Sequence, residues 1–144
     1  MRLPALLLAL PLSALLIAPA GAAATPCMLP ALLDGRQFTN LSDPQYHPTN
    51  PNAGRMVQVN FSGDRYVLQV LGTPLTVAGT YRYQRLAPHV GEVRMTEAYP
   101  GGTSRYTLLL TCLTDQQGQF VFTQHDGPVA PRQRQNGGRW TLQP

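Results

Sequence analysis

The chain contains no lysine: all 11 basic residues are arginine, set against seven acids. Beyond Arg2 they are scattered from Arg36 to Arg139, and only Arg132-Gln133-Arg134 brings two of them close together. A nucleic-acid binder concentrates its positive charge on one face or in one run. The scatter argues against nucleic acid as a partner and fits solvated strand faces and loop tips. Tryptophan occurs once, as Trp140, and cysteine only as Cys27 and Cys112. Two cysteines cannot form a disulfide-dense scaffold. Together with His47, His89 and His125 they show no metal-ligand spacing, so neither a metal nor a cofactor is expected. Past residue 34 there is no apolar run long enough to span a membrane as a helix, and no helical i, i+3, i+4, i+7 apolar pattern. Those two absences argue against a membrane span and against a helical bundle.

The first residues read as an export signal. Arg2 supplies a short positive n-region, Ala5 to Ile17 is almost wholly apolar, and Ala22-Ala23-Ala24 offers an A-x-A cleavage site. Pro4, Pro11 and Pro19 interrupt the run and no charged stop-transfer cluster follows, which favours a cleaved signal over an anchor. The expected organisation is a signal peptide over 1–24 and one domain over 25–144, long enough for a single core. The expected location is the periplasm or the outside of the cell. In such an oxidising compartment an isolated cysteine pair predicts one disulfide, Cys27 to Cys112. The rival reading, a lipidated Cys27, is opposed by Ala24-Thr25-Pro26, which lacks the small residue required just before a lipidated cysteine.

What the body does have is alternation at period two, repeated between turn signals such as Gly63-Asp64, Ala87-Pro88, Pro100-Gly101-Gly102, Gly127-Pro128 and Gly137-Gly138. The fold class is all-β. Eight strands are predicted: Arg36 to Asn40, Arg55 to Phe61, Arg65 to Leu71, Leu75 or Gly79 to Leu86, Glu92 to Tyr99, Ser104 to Leu113, Gln119 to Gln124, and Arg139 to Leu142. The stretch CMLPALLDG at the start is expected to be a short helical or irregular segment packed on the body.

Pairing Leu86 with Glu92 sets Tyr83 opposite Met95 and Tyr81 opposite Glu97, with Arg82, Gln84 and Arg94 on the other face. A slip of one residue would move Val93 and Met95 to the polar side, so the tyrosines point inward. Carried through the next two hairpins, the same face collects Met95 against Leu108, Val93 and Phe122 against Leu110, and Phe120 against Cys112. A twisted antiparallel meander of about eight strands removes its open edges most readily by closing into a barrel.

The run GTYRYQRLAPHVGEVRMTE, followed by RYTLLLTC, GQFVF and GGRWTL, resembles the hairpin series of small secreted bacterial barrels of the calycin type, the group that includes lipocalins and avidin-like proteins. The resemblance covers about half the chain, Gly79 to Leu142, and implies a single meander barrel. Where lipocalins open with G-x-W, this chain has Gly35-Arg36-Gln37-Phe38, and no biotin-contacting set of the avidin kind can be placed on it. The resemblance therefore carries no site residues with it.

Catalytic patterns are sparse. His125 and Asp126 are adjacent on a strand end and point to opposite sides, and no serine lies in a G-x-S-x-G elbow. Glu92 and Glu97 fall on opposite faces and cannot flank one bond together. Glu97 turns inward near Tyr81 and Tyr106, which means either a ligand cavity or a wet barrel mouth. Two loops are longer than their strands need, residues 41–54 with Tyr46 and His47, and residues 126–138 with Arg132 and Arg134. The expected function is that of an exported non-catalytic binding protein, whose barrel mouth and long loops hold a small ligand or a protein partner. An anionic group would sit on Arg132 and Arg134, with Tyr46, His47 and Glu97 as further candidates. The alternatives are a small barrel enzyme (isomerase, cyclase or hydrolase) and an envelope structural or inhibitory protein without a small ligand.

Overall fold

The computed structural model describes residues 26–99 and 101–144; the export signal expected over 1–24 lies outside them. Eight strands follow in order: β1 Gln37–Ser42, β2 Met56–Ser62, β3 Arg65–Val70, β4 Thr76–Ala87, β5 Val90–Tyr99, β6 Gly102–Thr114, β7 Gln117–Asp126 and β8 Arg134–Gln143. Each pairs antiparallel with the next, and β8 returns to β1 through pairs such as Asn40 with Trp140, closing an all-β meander barrel. Closure leaves no strand edge unpaired.

The alternation decides which side chains enter. Tyr81, Val93, Met95, Leu108, Leu110 and Phe120 are buried, while Arg82, Gln84 and Arg94 are exposed. The pairing partners are corrected by two residues at each of three hairpins. Tyr81, not Tyr83, faces Met95, and Gly79, not Tyr81, faces Glu97. Val93 faces Leu108 where Leu110 was expected, and Leu110 faces Phe120 where Phe122 was expected. The cause is the turns, which are tighter than the composition suggests. Pairing persists to Ala87 with Val90, to Tyr99 with Gly102 and to Thr114 with Gln117, so each loop keeps only two residues. At the first and third of these the register shifts near the turn, a bulge that lets the ladder satisfy more backbone groups before it reverses. A shift of two preserves the faces; a shift of one would have inverted them.

A second correction concerns Gly137-Gly138, which lies inside β8 and is not a turn; residues 134–138 extend that strand back into the expected loop. The Phe120 ring crosses Gly138, where an added Cβ would stand 2.6 Å from it, and the Leu41 carbonyl crowds the same point. The glycine is there for close approach.

One end of the barrel is plugged. Residues 26–35 form no helix, because their polar groups bond to the barrel and not to one another. Leu29 N–H donates to Pro88 O (2.8 Å) and Met28 N–H to Asp115 Oδ1 (2.8 Å). Tyr83 Oη donates to Pro30 O (2.9 Å) and Arg85 to Leu29 O (3.0 Å). Leu29 and Leu33 are thereby buried beneath Phe38, Phe61, Tyr81 and Trp140 in the core. Phe38 and Trp140 stack at 5.9 Å, and Phe61 meets Tyr81 at 4.5 Å. The disulfide Cys27–Cys112 fastens this segment to β6.

Candidate functional site

The other end is open. There the inward positions of the strands surround a cavity of about 310 Å³, within the range of small-molecule sites. Its two sides differ. β2, β3 and β4 contribute Val57, Val59, Leu68, Val70 and Val77, all apolar. β5 to β8 and β1 contribute the polar Glu97, Tyr99, Ser104, Gln124, Asn136 and Asn40, together with the apolar Phe122. Met95, Leu108 and Phe120 lie between the cavity and the plugged core.

Glu97 sits at the centre of the polar wall. Tyr66 and Tyr106 both donate to its Oε2, at 3.0 and 3.2 Å, and their hydroxyl oxygens lie 3.1 Å apart. The partner expected for Glu97 was Tyr81 together with Tyr106. Tyr66 takes that place because Gly79, directly opposite Glu97, has no side chain to obstruct its ring; an added Cβ would stand 2.8 Å from it. Burial pushes the Glu97 carboxyl above its ordinary value, and the two phenol bonds oppose that rise. Both phenols are raised as well, chiefly by burial and further by the neighbouring Glu97 charge. No protein group among the described residues bonds Glu97 Oε1, and no arginine forms an ion pair with it.

Two arginines stand at the mouth. Arg134 is the outermost inward residue of β8, and its guanidinium donates to Pro131 O (2.9 Å), Val129 O (3.0 Å) and Ala130 O (3.2 Å), so it shapes the loop between β7 and β8. Arg55, just before β2, lines the same mouth. Burial and then the Arg55 charge lower the Arg134 pKa from its ordinary value. Among the described residues neither arginine is paired with a carboxylate.

The residues singled out from sequence divide accordingly. Glu97 and Arg134 line the cavity. Arg132 stands outside it, donating through Nε (3.1 Å) and Nη2 (2.8 Å) to Asp126, whose carboxyl it holds below the usual range. Tyr46 and His47 lie on the exposed outside of the loop between β1 and β2, where His47 Nδ1 meets Thr49 Oγ1 at 2.7 Å. His125 likewise bonds Thr107, at 2.8 Å, on the outer surface. Both long loops nevertheless reach the same end. Asn50, fully buried, accepts from Asn136 Nδ2 (3.0 Å) and donates to Gln45 O (2.8 Å), and Gln135 N–H donates to Thr49 O (3.2 Å). These bonds leave Asn136 Oδ1 buried and without a donor. The residues that sequence reasoning passed over are Tyr66 and Arg55. Alternation within RYVLQV, which puts Tyr66, Leu68 and Val70 on one face, was the available signal for Tyr66, but nothing local marked it as the partner of Glu97. No protein-family model, curated protein or solved structure matches the chain.

Proposed function

We propose that this protein is an exported, non-catalytic binding protein that holds a small amphipathic ligand in the open end of its barrel, as calycin-type barrels do. The observation that carries this reading is the cavity, open at one end, lined by apolar side chains on β2 to β4 and by a mixed set on β5 to β1 that includes Glu97, Ser104, Gln124 and Asn136. Such a lining favours a ligand with an apolar body and a few oriented polar groups. The unpaired Arg55 and Arg134 at the mouth favour an anionic head group. Export, to the periplasm or beyond, is supported by the signal-like first residues and by the Cys27–Cys112 disulfide.

The test is a fluorescence titration with anilinonaphthalene sulfonate, an apolar anion. The expected result is saturable binding at one site, weakened by added salt and by Arg55→Gln, and abolished in Leu68→Trp, whose larger side chain fills the cavity. Absence of binding, or binding that survives Leu68→Trp in a folded protein, would overturn the reading.

A further inference from the structure

The mouth and the wall of the cavity carry opposite charges, and among the described residues neither forms an ion pair. Arg55 and Arg134 stand at the rim, while Glu97 lies one inward position below Tyr99 in the wall of β5. A carboxylate withdrawn from water needs hydrogen bonds and a counter-charge. Glu97 has the hydrogen bonds on one oxygen only, from Tyr66 and Tyr106. Those two phenols also fix its orientation, because each comes from a different strand and Gly79 keeps the space clear for the Tyr66 ring. Its other oxygen, Oε1, is bonded by no protein group among the described residues, and no cationic side chain pairs with it there. A carboxylate held this rigidly, with one oxygen left over in a cavity wall, is suited to accept a donor that carries positive charge. Beside it, on the neighbouring strands β4 and β3, the same cavity is lined by Val77, Leu68 and Val70, which offer no hydrogen bond and suit an apolar chain.

Resting on the binding reading above, we propose that the ligand is doubly polar: an acid group held at the mouth by Arg55 and Arg134, an apolar spacer against the valine and leucine wall, and an amine that donates to Glu97 Oε1. Glu97 is then the residue that selects amino-bearing acids over plain ones. Without the amine, the ligand would leave the carboxylate both desolvated and uncompensated, which is the more costly arrangement.

The experiment is calorimetric titration of the protein with a medium-chain alkanoic acid and its ω-hydroxy and ω-amino analogues, repeated with Glu97→Gln. The wild type should bind the ω-amino acid about ten-fold or more tighter than the plain acid, the value of one charge-assisted bond. Glu97→Gln keeps an oxygen for the two phenols, so it should retain binding of the plain acid and lose the preference for the amine. Equal affinity for all three acids in the wild type overturns the proposal, and this comparison does not depend on how the variant folds. A preference that persists in Glu97→Gln overturns it too. If the naphthalene sulfonate binds and no member of the series does, the doubly polar ligand fails and the binding cavity stands. If neither binds, both fail.

Discussion

The two ends of this barrel are built from the same alternating strands and do opposite things. At the plugged end the inward positions hold Phe38, Phe61, Tyr81 and Trp140, and Leu29 and Leu33 seal them from below. The turns there are short, and the Cys27–Cys112 bond ties the sealing segment to the wall. At the open end the inward positions hold Asn40, Glu97, Ser104, Gln124, Arg134 and Asn136, and two of the connections, β1 to β2 and β7 to β8, are long. The difference shows that period two selects a face while the identity of each inward residue decides whether that face becomes core or site. Stability is concentrated at one end, which leaves the other free to carry polar groups that a core could not tolerate.

The largest expected effect tests the plugged end. Replacing both cysteines, Cys27→Ser with Cys112→Ser, should lower the unfolding free energy by about 4.5 kcal/mol, the loop-entropy value for so distant a crosslink. Guanidinium unfolding of the double variant against the wild type measures this. A loss under about 1 kcal/mol would mean that Leu29 and Leu33 hold the segment by packing alone.

A smaller effect belongs to the open end and depends on pH. Burial raises the Glu97 carboxyl above its ordinary value. At low pH both folded and unfolded chains carry the proton, and nothing is lost. As pH rises the unfolded chain gives up its proton first, so stability falls until the folded carboxyl has ionised as well. Glu97→Gln removes that step. Its stability relative to the wild type should therefore grow as pH increases from about 4 toward neutrality, as urea unfolding at a series of pH values would show. A difference that is flat with pH would place Glu97 in a better solvated position than the cavity wall provides.

The smallest effect sharpens the boundary of the site. Arg132→Ala breaks an exposed pair with Asp126 and should leave stability nearly unchanged. Because Arg132 stands outside the cavity, naphthalene sulfonate binding should be unchanged, whereas Arg55→Gln weakens it. A binding loss in Arg132→Ala equal to that in Arg55→Gln would move the anion site out of the barrel and onto the loop.

Much of the fold was legible in the sequence because alternation is a local property. Tyr81, Val93, Met95, Leu108 and Phe120 could be assigned to the inner face with no knowledge of their partners, and they remained there when the register of three hairpins moved by two residues. The turns were less legible. A bulge near Ala87 or Thr114 trades loop for ladder, and composition does not record that trade. Gly137-Gly138 looked like a turn because its reason for being glycine, the Phe120 ring and the β1 backbone, lies on other strands.

The candidate site was legible only where one residue sufficed. Glu97 could be turned inward by its position in β5, and Arg134 could be noted for its loop. That Arg55 joins Arg134 at one mouth, that Tyr66 shares Glu97 with Tyr106, and that Arg132 is drawn away by Asp126 depended on closure. By itself the sequence determined an all-β chain, its inner and outer faces, and a disulfide joining the first segment to β6. Tertiary structure alone decided which end is sealed and which is open, and which distant polar residues share a cavity. The physical reason is that side-chain alternation is set within a strand, whereas a cavity is the space left between strands, and its lining is known only once the barrel has closed.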